Sequence, residues 1–93
     1  MTDGIDVRCE PTGEDWTCFV AVAGDGPVTH HAVTVRAADL VRLGSGSTPD
    51  DLVRRSFEFL LAREPKESIL PAFDLPLIGR YFPDYEATIK RPR

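Results

Sequence analysis

Three short runs of alternating residues open the chain and leave few folds available to it. Ile5, Val7 and Cys9 alternate with Asp6, Arg8 and Glu10. Trp16, Cys18, Val20 and Val22 alternate with Thr17, Phe19, Ala21 and Ala23, and His31, Val33 and Val35 with His30, Ala32 and Thr34. A period of two marks a strand with one buried face, and valine, threonine and aromatic side chains suit it. Thr12-Gly13-Glu14-Asp15 and Gly24-Asp25-Gly26-Pro27 separate the runs. Both read as hairpin loops of about four residues, in which glycine is free to take positive φ. Register supports the reading. With Pro11 opposite Trp16 and Ala23 opposite Val28, Cys9 faces Cys18, Val20 faces His31 and Cys18 faces Val33. Ile5, Val7, Cys9, Trp16, Cys18, Val20, Val22, His31, Val33 and Val35 then share one face, which a slip of one residue in either hairpin would scatter. The expectation is an α+β domain that begins with a three-stranded antiparallel meander, order 1-2-3, over about residues 4–36.

The opposite face reads Asp6, Arg8, Glu10, Thr17, Phe19, Ala21, His30, Ala32, Thr34 and Arg36. It is polar except for Phe19, which is either a lone exposed aromatic or the centre of a pairing surface, with Ala21 and Ala32 allowing close approach.

Helical signals follow the strands. A short helix is expected over 37–43, carrying Leu40, Val41 and Leu43, with Gly44 as its stop and Gly44-Ser45-Gly46-Ser47 as a flexible joint. Thr48 suits an N-cap, Pro49 the first helical position, and Asp50 and Asp51 the positive end of the helix dipole. This second helix is expected over 49–63, stopping before Pro65. Its apolar residues, Leu52, Phe59, Leu60, Val53, Phe57 and Leu61, spread over roughly 200° of the helix, against the ~100° of a simple surface helix. One side packs on the sheet and the rest needs another cover. A helical turn over 66–70 and a helix over 75–82, capped by Asp74, are expected next. Phe73, Leu77, Ile78, Tyr81, Phe82, Tyr85 and Ile89 recur at spacings of three and four. That stripe either closes the core or forms part of a homodimer surface.

The 93 residues make one domain. The net charge of −4 is uneven: residues 1–47 hold three arginines against seven acids, and the remainder balances. An acidic sheet half repels phosphate backbones, so no nucleic acid partner is expected. The basic end, Lys90-Arg91-Pro92-Arg93, reads as a solvated tail over 90–93. No apolar run approaches a membrane span. The first six residues are acidic and polar, unlike a signal peptide, so a cytoplasmic location is expected, with Cys9 and Cys18 as free thiols.

No constellation for catalysis stands out. His30 and His31, adjacent on a strand, point to opposite faces and cannot chelate one metal. His31 shares a face with Cys9 and Cys18, but zinc would want a further ligand or an open water position. Gly44–Thr48 before a helix lacks the lysine of a phosphate-binding loop, and Asp50 and Asp51 would repel a phosphate. Ser56 and Ser68 have no adjacent base in sequence. Arg54, Arg55, Arg63 and Lys66 read as surface partners of Glu58, Glu64 and Glu67. The expectation is a protein that is not an enzyme, with no cofactor and no metal.

Ser56-Phe57-Glu58-Phe59-Leu60-Leu61, Arg63-Glu64-Pro65-Lys66-Glu67-Ser68-Ile69-Leu70 and Tyr81-Phe82-Pro83 resemble a group of small uncharacterised bacterial proteins. The resemblance covers about a third of the chain and implies no activity and no site residues. The strand-strand-strand-helix order also looks like the start of HicB-type antitoxin domains, in topology only; here proline-broken helices stand where the return strand would be, and no DNA-binding appendage follows.

Two functional expectations follow. The first is a non-enzymatic interaction module, self-associating or bound to a protein partner, with Phe19, Phe59, Leu61, Tyr81, Phe82 and Tyr85 as its candidate surface. The second is a small-ligand or antitoxin-like regulatory domain, with a pocket between sheet and helices lined by Trp16, His31, Phe57 and Tyr81.

Overall fold

The computed structural model describes residues 4–24, 26–44 and 46–90. Strands β1 (Ile5–Thr12), β2 (Asp15–Val22) and β3 (Thr29–Val35) form the antiparallel meander. Its register is the expected one: Cys9 opposite Cys18, Pro11 opposite Trp16, Val20 opposite His31 and Cys18 opposite Val33. Ile5, Cys18, Val20, Val22, His31, Val33 and Val35 are buried, while Val7, Cys9 and Trp16 pack partly buried against the same core. The first hairpin is tighter than expected. Thr12 still pairs with Asp15, so only Gly13 and Glu14 make the loop, and Gly13 takes φ +66°.

One element extends the expected sheet. After helices α1 (Ala37–Gly44) and α2 (Pro49–Leu61) and a 3-10 turn at Lys66–Ser68, a three-residue strand β4 (Ala72–Asp74) pairs in parallel with β3. The amide of Ala32 donates to the Pro71 carbonyl (2.8 Å) and that of Leu75 to the Thr34 carbonyl (3.0 Å). The sheet is therefore mixed and four-stranded, order β1-β2-β3-β4. A return strand does exist, which corrects the expectation that helices replace it. Asp74 ends β4 and pairs with Arg36 (3.0 Å) rather than capping a helix. Helix α3 is shorter than expected, Leu77–Tyr81, and a further helix, α4 (Tyr85–Lys90), follows it. Residues 91–93 of the basic tail lie outside the described residues.

Helix α1 is capped by two carboxylates. Asp15, at the start of β2, accepts from the Ala37 amide (3.1 Å), and Asp39 from the Arg36 amide (3.2 Å). Helix α2 begins as expected, with the Thr48 hydroxyl accepting from the Asp51 amide (3.1 Å). It ends at Leu61, two residues before the expected stop, as the amides of Arg63 and Glu64 both turn onto the Leu60 carbonyl. Its wide apolar arc is covered from two sides. Leu52, Val53, Phe57 and Leu60 join the sheet in the core. Phe59 meets Tyr85 and Phe82 edge-on, with ring centroids 5.3 and 5.9 Å apart. Phe59, Phe82, Tyr85 and Ile89 thus close the core, while Tyr81 of the stripe stays exposed.

Arg54 and Arg55 fasten distant segments together. Arg54 donates to the Ile5 carbonyl of β1. Arg55 joins Asp51 (3.0 Å), the Ile89 carbonyl at the end of α4 (2.8 Å) and the Ser47 hydroxyl (3.0 Å). Ser47 of the expected flexible joint is thereby tied, its amide also donating to Gly44 (2.9 Å); Ser45 lies outside the described residues.

Cys9 and Cys18 form a disulfide. This corrects the expectation of free thiols. The pair sits directly opposite across the β1–β2 ladder with Cα atoms 3.9 Å apart, which marks a narrow, non-hydrogen-bonded pair. Pro11, two residues on, has no amide to donate, as that parity requires. Loop-closure entropy over a sequence separation of 9 predicts that replacing both cysteines by alanine lowers stability by about 2.6 kcal/mol. Urea unfolding of the double variant beside the oxidised protein checks this; identical midpoints would show that the hairpin alone holds the strands.

Candidate functional groove

The packing that closes the core leaves an open groove beside it, of about 390 Å³. Leu60 and Glu64 border it from the end of α2, Ser68, Ile69 and Leu70 from the 3-10 turn and the residues after it, and Phe73 from β4. Leu77, Ile78, Tyr81 and Phe82 complete it from α3 and its C-cap. These segments meet because β4 docks on β3 and the chain then turns back over α2. The lining is apolar apart from Glu64, Ser68 and the Tyr81 hydroxyl. Its lips are open: Tyr81 is 66% exposed and Leu70 43%. A volume of a few hundred Å³ with apolar walls and a few polar groups is the usual character of a binding site.

The expected pocket between sheet and helices is filled instead. Phe57 is fully buried, its ring 5.3 Å from the His31 ring and 6.2 Å from that of Phe73. His31 is committed on both nitrogens. Nδ1 lies 2.8 Å from the Leu70 carbonyl, which can only accept, so Nδ1 carries a proton; Nε2 lies 2.9 Å from the Thr29 hydroxyl. His31 thus anchors the chain just ahead of β4, and so one lip of the groove. Trp16 packs half-buried against the core. Of the four expected pocket residues, only Tyr81 faces the groove.

The six candidate surface residues do not share one surface. Phe59 and Tyr85 are buried in the core, which removes them from any docking face, and Leu61 packs partly buried against it. Tyr81 and Phe82 line the groove. Phe19 lies on the opposite face of the sheet, 40% exposed, with the Arg8 guanidinium 5.1 Å from its ring centroid. It borders a shallower depression of about 330 Å³ with Asp6, Arg8, His30 and Pro71.

Several other polar groups are engaged in structure. Ser56 donates to the Leu52 carbonyl (2.8 Å), so the Tyr85 hydroxyl, 2.7 Å away, must donate to Ser56. Burial pushes the Tyr85 phenol up to about 12, against the opposing pull of its Ser56 hydrogen bond. Arg42 bridges Glu86 of α4 (2.7 Å) and Asp39 (3.6 Å); the Glu86 hydrogen bond raises the guanidinium further, partly offset by desolvation. Lys66 is buried, with its stem beside Gly24 of the β2–β3 hairpin, and its contact with Glu67 lowers that carboxyl. The Cys9–Cys18 bond removes both thiolates as metal ligands, and among the described residues no three histidine, cysteine or acidic side chains gather to hold a metal ion. No described helix is long and apolar enough to cross a membrane. No protein-family model, curated protein or solved structure matches this chain.

Proposed function

We propose that the chain is a non-enzymatic interaction module whose groove receives an apolar side chain from a protein partner. The observation that carries this reading is the groove itself: an apolar trough of about 390 Å³, held open between α2, β4 and α3, with Tyr81 and Leu70 exposed at its lips. Desolvating large apolar and aromatic groups of this kind dominates binding energy at protein interfaces. The engagement of His31, Ser56 and Tyr85 in structural hydrogen bonds supports a non-enzymatic reading. Self-association is the homologous version of the same reading.

Random peptides displayed on phage and selected against the protein test it. Selected peptides are expected to share one large apolar residue. Tyr81→Glu and Leu70→Glu change exposed positions, so the variants should keep the wild-type circular dichroism. Each is expected to weaken peptide binding by roughly tenfold or more, the equivalent of ~1.4 kcal/mol. Selected peptides that bind both variants as tightly as the wild type would remove the groove from the function. Light scattering across a concentration series separates the two occupants, since a dimer dispersed by either variant would make the occupant a second copy.

A further inference from the structure

The groove carries an unbalanced negative charge, and this specifies its occupant more closely; the inference rests on the groove being the binding site. Glu64 lines the groove half-buried, and its carboxylate has no ion-pair or hydrogen-bond partner among the described residues. The basic side chains next to it in sequence are committed elsewhere. Arg63 pairs with Asp84 (2.9 Å) and lies 3.6 Å over the Phe59 ring, and Lys66 contacts Glu67. A second observation has the same sign. The groove opens at the C-terminal end of α2, where the helix dipole is negative, and the last turn of α2 contains no basic residue. Arg63 takes the Phe59 carbonyl there (3.0 Å), but its charge is already shared with Asp84. Glu64 therefore adds like charge where a helix end calls for a cation, beside walls that offer apolar contact.

We infer that the partner segment places a lysine or arginine next to the apolar side chain it inserts, with the cation on Glu64. The apolar residue supplies the contact area, and the cation fixes orientation and rejects acidic segments. A partly exposed pair of this kind is worth up to about 1 kcal/mol, so discrimination of about fivefold is expected.

The test uses synthetic fluorescein-labelled peptides with one central leucine or phenylalanine in an alanine–glycine host, flanked by lysine, norleucine or glutamate. Fluorescence anisotropy reads their affinity for wild type and for Glu64→Gln. The lysine-flanked peptide is expected to bind about fivefold more tightly than the norleucine one, and the glutamate-flanked peptide more weakly than both. In Glu64→Gln the order should flatten, with the affinities of the three peptides drawing together. Equal affinities for all three peptides, or a lysine preference that survives Glu64→Gln, would overturn the inference and leave the groove reading intact. Indifference to the central leucine or phenylalanine would overturn both. Hexylammonium that displaces the lysine peptide with equal affinity would reassign the site to a small amine.

Discussion

Phe57→Ala is expected to cost about 3–5 kcal/mol, the largest loss of any single substitution considered. Phe57 is fully buried on the side of α2 that faces the sheet and touches His31 and Phe73. Truncation removes the wall that α2 presents to β3 and β4 together. A domain of this size has roughly 5–14 kcal/mol to lose, so the variant is expected to stand near the edge of folding. In urea the midpoint should fall by about 2–5 M, taking a slope of ~1–1.5 kcal/mol per molar. Phe19→Ala, the same change on the open face of the sheet, should cost no more than about 1 kcal/mol. A Phe57→Ala protein as stable as the Phe19→Ala one would mean that α2 does not pack as described.

The second large effect depends on pH. An unfolded tyrosine ionises near pH ~10. In the folded chain Tyr85 keeps its proton to about 12, because its phenol is buried against Ser56. Between those values the unfolded chain binds fewer protons than the folded one, so stability falls as pH rises. The contribution is fully present below pH ~10 and is lost as pH climbs through the folded value; the difference amounts to about 3 kcal/mol. Tyr85→Phe should abolish this part of the alkaline decline. At neutral pH it should cost only about 1 kcal/mol, since Ser56 retains the Leu52 carbonyl. Urea unfolding of both proteins between pH ~9 and ~11.5 makes the comparison, and the ionisations common to both cancel. Parallel curves would show that the phenol is hydrated in the folded state.

Residue identity carries register wherever a period of two has one buried face, and this made the meander legible down to individual cross-strand pairs. The same register already set Cys9 opposite Cys18. The disulfide was missed because an assumption about compartment outweighed a geometry that placed the two sulfurs together. Strand β4 left no comparable trace. Ala72-Phe73-Asp74 is too short for alternation, and it pairs in parallel after a long crossover, so no turn announces it. The roles of Arg54 and Arg55 depend on carbonyls 49 and 34 residues away, beyond the reach of any local pattern. The groove was half legible. The stripe at spacings of three and four picked out Tyr81 and Phe82, but could not separate them from Tyr85, which points into the core. Glu64 was read as one half of a surface ion pair, because only the fold shows its basic neighbours turned elsewhere.

The outer edge of β1 has a consequence for the protein at high concentration. Given the narrow pairing at Cys9, the backbone groups of Ile5, Val7, Cys9 and Pro11 face away from β2. Arg54 occupies the Ile5 carbonyl and Pro11 has no amide, so only Val7 and Cys9 offer both a donor and an acceptor. An arriving strand would find a template interrupted at both ends, too short to seed the growth of an intermolecular sheet. One arginine, one proline and the parity of a ladder thereby shorten the template that this edge of the sheet presents.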